Sequence, residues 1–425
     1  MAILIKNGTI LNPATQTNEV LDVLITDDTI TRMAPSIDAD GAEVIDATGC
    51  FVAPGFIDMH VHFRDPGQTA KEDIETGSRA AAHGGYTTVC AMPNTSPVID
   101  CPELVHYVHN KAKEVGLCNV LQVGAMTDGM KGEKLSQLEP MIEAGIPAMS
   151  EDGKSVMNTN LFREALRVAA AHQIPVLSHC EDINLVDGGV MNAGPKAEAL
   201  GIRGISNAVE NIIEARDIMV AEETGATLHL CHCSTKESVD LIRCGKARGV
   251  KVSGEVCPHH FTLCDEDIPS AEDSNYKMNP PLRTAEDREA LRKGLSEGVL
   301  EVISTDHAPH TEEEKARGFT KAPFGIVGVE TAAALTYSEL VLGGYLTPMQ
   351  MMEKMSYNPA RILGIDKGDI SEGKVADVVI FDPNQTYEIH AADFHGKSKN
   401  MPFEGRKVTG AVVATILAGR VTYRR

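Results

Sequence analysis

The sequence has no tryptophan, few aromatic residues (4%) and many fewer basic than acidic side chains. Its 39 Lys and Arg stand against 60 Asp and Glu, which gives a formal net charge of −21, and no run of Lys or Arg exceeds two residues. Such a charge repels nucleic-acid phosphates and anionic membrane surfaces, so it argues against both as partners. It also means that an anionic ligand would need a local cationic pocket.

Long apolar runs and an ordered cysteine framework are also missing. No stretch of about 18 apolar residues could span a bilayer, and the first residues indicate a strand and a turn, not a signal peptide. The 10 cysteines are scattered along the chain, which is typical of reduced thiols and not of a disulfide scaffold. We therefore expect a cytoplasmic protein.

The residues that are present indicate two kinds of region. A hydrophobic content of 43% is enough for a buried core. Residues 1–53 and 370–425 contain short β-branched runs separated by turn residues, whereas in 54–369 short apolar runs alternate with helical periodicity. This pattern predicts an α/β protein in which both termini form one small β-sandwich domain and residues 54–369 form a (β/α)8 barrel of the TIM type.

Eight barrel strands are predicted from the apolar runs. They are 56–62, 87–92, 119–125, 146–152, 175–180, 227–233, 250–256 and 301–306. Active sites of such barrels lie at the C-terminal ends of the strands. The longer connections at about 182–206 and 264–283 follow strands at that end, which is where we expect the functional site.

Imidazole and carboxylate side chains are concentrated at these strand ends. His60 and His62 should point to the same side of the first strand, because side chains alternate along a strand. Four further imidazole or carboxylate side chains end the fourth, fifth, sixth and eighth strands: Asp152, His179, His232 and Asp306. Six oxygen and nitrogen donors without a thiolate predict two divalent metal ions, with Zn²⁺ preferred and Mn²⁺ or Co²⁺ as substitutes. One carboxylate would then bridge the two ions.

Neighbouring residues offer less specific signals. Cys231 and Cys233 flank His232, and strict alternation would direct both thiols to the helix side as core residues. His259 and His260, at the end of the seventh strand, are interpreted as structural loop residues, with a role behind the metal ligands as the alternative.

Seven motifs distributed over almost the whole chain show a family resemblance. They are GFIDMHVHFRDPG at 55–67, STDHAPH at 304–310, and the shorter segments 91–95, 279–283, 323–325, 328–331 and 358–360. These motifs resemble the cyclic-amide group of the amidohydrolase superfamily, and within it the long bacterial dihydroorotase family. The metal site and barrel predicted above are those that this resemblance implies.

The resemblance implies a role for each ligand. His60, His62 and Asp306 would bind the first metal, His179 and His232 would bind the second, and Asp152 would bridge them. Glu151 stands where relatives carry another aspartate, which leaves open whether it shares the bridging role. Lys154, two positions beyond Asp152, is interpreted as a loop residue and not as the carboxylated lysine of many relatives.

A pocket for a substrate carboxylate is predicted beside the metals. Arg64 lies two residues beyond His62 and offers a planar bidentate donor. By resemblance, the residues that complete this pocket and hold the ring amide are Asn94, His310, Asn279 and the backbone at Pro323 and Gly325.

The activity that the resemblance implies is the reversible closure of N-carbamoyl-L-aspartate to L-dihydroorotate with loss of water, a step of pyrimidine (UMP) synthesis. A hydroxide between the metals would attack the ring amide, and Asp306 would act as general acid and base. One alternative is a hydantoinase or allantoinase, against which Arg64 and Asp152 argue. Another is a non-catalytic homologue that only binds a transcarbamoylase, against which the full ligand set argues. A homodimer and an association with aspartate transcarbamoylase are left open.

Overall fold

The computed structural model describes residues 2–425, and in this part of the chain 19 strands and 14 α-helices are formed. The strands are β1 (Ala2–Asn12), β2 (Thr17–Thr26), β3 (Thr29–Ala34), β4 (Glu43–Asp46), β5 (Phe51–Pro54), β6 (Phe56–Val61), β7 (Tyr86–Ala91), β8 (Asn119–Gln122), β9 (Gly124–Ala125), β10 (Met149–Ser150), β11 (Val176–Ser178), β12 (Met191–Asn192), β13 (Gly204–Ile205), β14 (Leu228–Leu230), β15 (Val252–Val256), β16 (Val302–Ile303), β17 (Val378–Glu388), β18 (Lys407–Leu417) and β19 (Arg420–Arg424).

The helices connect and cover these strands. They are α1 (Ile74–His83), α2 (Pro102–Val115), α3 (Leu138–Glu143), α4 (Thr159–His172), α5 (Pro195–Leu200), α6 (Ala208–Thr224), α7 (Lys236–Ala247), α8 (Pro258–Thr262), α9 (Ala285–Ser296), α10 (Glu312–Lys315), α11 (Gly318–Lys321), α12 (Ala332–Thr336), α13 (Pro348–Met352) and α14 (Asn358–Leu363). Short 3₁₀ turns occur at Asp128–Met130, Asp265–Asp267, Ser274–Tyr276 and Ala391–Asp393, and π-helical turns at Tyr337–Val341 and Glu353–Tyr357. Among residues 2–425, none of the helices combines the length and apolar character needed to cross a membrane.

Both ends of the chain contribute to one eight-stranded sheet. β5 lies between β1 and β17, and it pairs in parallel with β1 and antiparallel with β17. Alternating β-branched side chains of this sheet, such as Ile10 in β1, Ile25 in β2 and Ile380 in β17, are fully buried in a common core. This pairing supports the proposed composite domain, 1–53 plus 370–425, next to a barrel domain, 54–369; Met1 lies outside the described residues.

Eight parallel strand positions close into the predicted barrel. β6, β7 and β8 form one sheet, and β9, β10, β11, β14, β15 and β16 form the other. Val123 alone separates β8 from β9, and the backbone N–H of His62 donates to the carbonyl of His307 at 2.8 Å, which joins the two remaining edges. The (β/α)8 fold class is therefore confirmed.

The strands end earlier than the sequence pattern suggests. β14 ends at Leu230 and β16 at Ile303, so His232 and Asp306 occupy the first residues of the following loops. Both residues, and Arg64 in the loop after β6, have positive φ angles: 35° at His232, 49° at Asp306 and 58° at Arg64. Left-handed conformations of non-glycine residues cost on the order of 1–3 kcal/mol each, and they concentrate at functional sites, where surrounding contacts enforce them.

Candidate metal and substrate site

Five of the six predicted metal ligands line a cavity of about 200 Å³ at the C-terminal end of the barrel: His62, Asp152, His179, His232 and Asp306. The sixth, His60, lies fully buried beneath them, with its ring centroid 5.4 Å from that of His62 and 5.1 Å from that of His232. The structure thus brings together all six side chains that the sequence singled out.

Asp152 occupies the centre of the four imidazoles. Its Oδ1 lies 3.1 Å from His60 Nε2, 3.7 Å from His179 Nδ1 and 3.8 Å from His232 Nε2, and its Oδ2 lies 3.4 Å from His62 Nε2. His179 Nδ1 and His232 Nε2 are themselves only 2.8 Å apart. A carboxylate between two pairs of imidazoles has the position required of a bridging ligand.

Glu151 and Lys154 point away from this centre. The carboxylate of Glu151 accepts a hydrogen bond from the backbone N–H of Thr127 at 3.0 Å, and burial raises the pKa of this carboxyl. Lys154 donates to the carbonyl of Met130 at 2.9 Å. Both residues therefore form hydrogen bonds with the neighbouring loop, and Asp152 is the carboxylate that faces the imidazoles.

Asp306 is the second carboxylate beside His60 and His62. Its Oδ1 is 3.1 Å from His62 Nε2 and 3.5 Å from His60 Nε2. Burial lowers the pKa of His60, but the charges of Asp152 and Asp306 outweigh that effect and hold the pKa well above its ordinary value. The cluster therefore has a negative potential that favours a bound cation.

The hydrogen bonds of the first two histidines fix which nitrogen faces the cluster. His60 Nδ1 donates to Glu255 Oε1 at 2.8 Å, and His62 Nδ1 donates to Asn94 Oδ1 at 2.9 Å. Each imidazole then directs Nε2 towards carboxylate oxygens, and His60 Nε2 and Asp152 Oδ1 are buried without a hydrogen-bond partner. A divalent ion that takes the place of a proton between these nitrogen and oxygen atoms would satisfy both, so the donor set fits a divalent metal.

Glu255 is a residue of the candidate site that sequence reasoning missed. It lies fully buried in β15, where Oε1 also accepts the backbone N–H of His232 at 3.2 Å and Oε2 lies 3.1 Å from His229 Nε2. Burial raises its pKa, but the hydrogen bonds from His229 and His60 outweigh burial and keep the carboxyl ionised. A glutamate inside the apolar run 250–256 was the available signal.

Cys231 is buried as predicted, but the side of the strand predicted for its thiol is wrong. Cys231 packs inside the barrel with Met59 and Cys90, close to His60, whereas Cys233 belongs to the core cluster on the helix side, which also contains Ile213 of α6 and Val239 of α7. Strict alternation fails because β14 ends at Leu230, before either cysteine.

His259 and His260 lie in the short helix α8 and not in the cavity lining. His260 Nε2 donates to the carbonyl of Pro280 at 3.0 Å, and burial lowers the pKa of His259 to about 4. These contacts are in keeping with the structural role predicted for the pair.

Arg64 is a buried cation in the cavity wall. It is 8% exposed, and its Nε donates to the carbonyl of Pro309 at 3.2 Å. Within residues 2–425 no carboxylate forms an ion pair with its guanidinium. Burial lowers the pKa of Arg64 to about 10, so the side chain stays charged at neutral pH.

His310 leaves the guanidinium of Arg64 free. Its Nε2 lies 2.7 Å from the carbonyl oxygen of Phe324, which requires Nε2 to be the protonated nitrogen. Burial and the nearby charges of Arg64 and Lys71 lower the pKa of His310 to about 3, so the ring is neutral. Nε2 therefore cannot accept from Arg64 Nη2, 3.4 Å away, and that donor remains open to an anion in the cavity.

The two asparagines contact residues around the metal ligands. Asn94 Nδ2 donates to Asp152 Oδ2 at 3.2 Å, in addition to its bond with His62. Asn279 Nδ2 donates at 3.1 Å to Glu181 Oε2, which also lies 2.9 Å from His179 Nε2. Both asparagines line the cavity, as predicted for groups that contact substrate.

The loop 323–325 contributes its last two residues to the cavity. Phe324 and Gly325 line it, whereas Pro323 lies outside the lining and its carbonyl accepts a hydrogen bond from Lys315 Nζ at 3.2 Å. Gly325 has a φ of 123°, and a Cβ at this position would lie 2.6 Å from Ala308 Cβ. Only glycine fits this approach of two loops.

Comparisons with known proteins identify relatives along the whole chain. A family model described as Dihydro-orotase-like matches residues 49–238. The dihydroorotase of Pelotomaculum thermopropionicum is 50% identical over 421 residues, 99% of this chain and 98% of that protein. The dihydroorotase of Ruminiclostridium cellulolyticum is 47% identical over 425 residues, 100% of this chain and 99% of that protein.

Solved structures show the same architecture. D-hydantoinase from Bacillus sp. AR9 superposes with a TM-score of 0.87 at 28% identity, with 99% of this chain and 95% of that chain covered. Dihydropyrimidinase from Brevibacillus agri superposes with a TM-score of 0.85 at 26% identity, with 100% and 95% covered.

The parallel barrel and its cluster of imidazoles and carboxylates define a metal-dependent enzyme of the amidohydrolase class. The hydantoinase-type structures share this fold over almost their whole length. With full-length identity of up to 50% to its relatives, the chain belongs to the dihydroorotase family.

Proposed function

We propose that this protein is a dihydroorotase, which closes N-carbamoyl-L-aspartate to L-dihydroorotate and water in pyrimidine synthesis and also catalyses the reverse reaction. The observation that supports this most directly is the buried, unpaired guanidinium of Arg64 in the same cavity as the metal ligands. A buried cation without a partner is costly, and a carboxylate on the substrate would satisfy it. Dihydroorotate carries that carboxylate on its ring, whereas hydantoin and dihydrouracil have no carboxylate.

The proposed ligands are those that converge in the structure. His60, His62 and Asp306 would hold one divalent ion, His179 and His232 the other, and Asp152 would bridge them; Zn²⁺ is the ion that these nitrogen and oxygen donors suit best. When bound, such ions lower the pKa of water and polarise an amide carbonyl.

Asp306 is the proposed proton carrier. In the hydrolytic direction water attacks the ring amide carbonyl and the ring C–N bond breaks. The carboxylate of Asp306, in the cavity lining, takes the proton of the attacking water and delivers it to the leaving nitrogen. In the synthetic direction the same carboxylate removes a proton from the attacking nitrogen and returns it to the departing water.

The remaining residues orient the substrate. Arg64 binds the ring carboxylate through the open Nη2, with Asn94 and His310 beside it, while Asn279 holds the ring amide. The backbone of Gly325 shapes the pocket wall and does not bind the amide, because its N–H donates to the carbonyl of Lys277 at 3.0 Å and its carbonyl already accepts from Lys315 and Asn400. A homodimer and an association with aspartate transcarbamoylase stay predictions from the family resemblance.

The first test is activity together with metal content. The purified protein is expected to hydrolyse dihydroorotate, to contain about two divalent ions per chain, and to lose activity on chelation and regain it with Zn²⁺, Mn²⁺ or Co²⁺. Elemental analysis and a steady-state absorbance assay measure these quantities. Full activity at a metal content near zero would contradict the metal proposal, and a content near one would contradict only the binuclear part. Faster turnover of hydantoin or allantoin than of dihydroorotate would favour the cyclic-amide alternative.

A second test concerns Glu255. The isosteric change Glu255→Gln removes the negative charge behind His60 and should weaken metal binding by about 10- to 100-fold, as measured by competition with a chelator. Glu214→Gln is the matched control, since both carboxylate oxygens of Glu214 are buried without partners and burial raises its pKa well above normal. Equal metal affinity in the two variants would show that Glu255 does not support the site.

A further inference from the structure

A C-terminal segment crosses the active-site end of the barrel. This crossing segment, residues 394–400, follows the turn Ala391–Asp393. Ser398 Oγ donates to the carbonyl of Lys71 at 2.7 Å, and the backbone N–H of Lys397 lies 3.2 Å from the Glu72 carboxylate. The segment is therefore bonded to the loop that follows the first barrel strand.

Glu330 anchors the start of the crossing segment. Its carboxylate accepts the backbone N–H groups of His395, at 2.8 Å, and Gly396, at 3.1 Å, and it also accepts from His83 Nδ1, at the end of α1, at 2.5 Å. Two imidazoles and a carboxylate meet here, but both carboxylate oxygens already accept backbone N–H groups. We therefore interpret this cluster as an anchor that joins the segment to the barrel and not as a second metal site.

Asn400, at the end of the crossing segment, bonds to two loops at once. Its side chain is 5% exposed, and Oδ1 accepts the backbone N–H of His310 at 3.1 Å. Nδ2 donates to the carbonyl of Ala308 at 3.3 Å and to that of Gly325 at 3.1 Å. One buried amide thus joins the loop after β16 to the loop 323–325.

These two loops form the side of the cavity that faces Arg64. Ala308, His310 and Gly325 all line it. The carbonyl of Gly325 accepts a second hydrogen bond at 2.9 Å from Lys315 Nζ, so both of its lone pairs are used. A change at Asn400 would therefore alter the spacing of the carboxylate pocket and not the metal ligands, none of which it contacts.

We propose that Asn400 is a positioning residue for the substrate carboxylate, acting through His310 and Gly325. This inference rests on the proposed dihydroorotase function. Asn400 lies outside the cavity lining, so it acts on the geometry of the pocket and not on the reacting atoms. Through Asn400, the C-terminal crossing segment supports the substrate site without lining it.

The test is the isosteric variant Asn400→Asp. It keeps an acceptor for the His310 N–H but places an oxygen against the carbonyls of Ala308 and Gly325 in place of the donor. We expect KM for dihydroorotate to rise about 10- to 100-fold while kcat changes less than about threefold, with metal content unchanged. The control is Asn358→Asp, which removes a comparable amide donor, Nδ2 to the carbonyl of Glu301 at 2.9 Å, before the start of β16 at the opposite end of the barrel.

The outcomes separate this inference from the proposed function. Absence of dihydroorotase activity in the unmodified protein would overturn the function, whereas equal KM values in Asn400→Asp and Asn358→Asp would overturn only the role of Asn400. A fall in kcat at constant KM would also contradict it. Asn400→Ser removes the amide without adding charge and should show the same KM effect; failure of both Asn400 variants to fold would assign the residue to stability alone.

Discussion

Asp306→Asn is expected to fold, yet to lose dihydroorotase activity by about a thousandfold or more. The carboxamide cannot accept the proton of the attacking water, and it is a weaker metal ligand than the carboxylate that lies 3.1 Å from His62 Nε2. The measurement is kcat at saturating dihydroorotate and saturating metal, together with circular dichroism to verify the fold.

Asp22→Asn is the control for that variant. Asp22 is also a buried carboxylate, but it accepts the backbone N–H groups of Asn7 and Ile37, each at 2.9 Å, in the β domain far from the cavity. Its kcat per folded enzyme should equal that of the unmodified protein. Turnover near the unmodified level in folded Asp306→Asn would show that the assignment of the proton carrier is wrong.

Arg64→Met should reduce kcat/KM for dihydroorotate by roughly 30-fold to several thousandfold, because truncating a buried, charged contact costs about 2–5 kcal/mol. Dihydrouracil has the same ring without the carboxylate, so its slower hydrolysis should change little. The side chain forms no ion pair in residues 2–425, which means that the loss reflects substrate binding and not a broken internal salt bridge.

Arg292→Met provides the comparison, since Arg292 is a half-buried arginine that pairs with Glu339 at 2.9 Å outside the cavity. Arg292→Met should leave the ratio of kcat/KM for dihydroorotate to kcat/KM for dihydrouracil unchanged. If Arg64→Met damaged turnover of both substrates equally, the carboxylate pocket would be disproved and a hydantoinase-type specificity would explain the cavity better.

The sequence predicts the order and number of the barrel strands because short apolar runs encode local structure. It cannot predict where each strand ends, since that depends on the hydrogen bonds of neighbouring strands. The difference matters at Cys231: alternation was extended past Leu230, where β14 stops, and the thiol faces the barrel interior instead. His232, one residue later, has a positive φ that no propensity rule foresees.

The candidate metal ligands could be predicted because chemistry restricts them to a few residue types at strand ends. The residues that hold these ligands in place were harder to predict from the sequence. Glu255 gave a local signal, a charge inside an apolar strand, although its contact with His60 spans 195 positions in the sequence. Asn400 gave none, because an asparagine among polar residues indicates a turn, and its bond to His310 spans 90 positions. Such long-range contacts depend on the completed fold.

The position of β5 between β1 and β17 has a consequence for folding during synthesis on the ribosome. One edge of β5 finds its partner only when residues 378–381 have been synthesised. At about 5–20 residues per second, the N-terminal strands therefore wait on the order of tens of seconds with an unpaired edge. During that interval the nascent chain exposes a template for wrong pairing, so truncation before β17 should leave an aggregation-prone fragment, residues 1–377, and no soluble smaller enzyme.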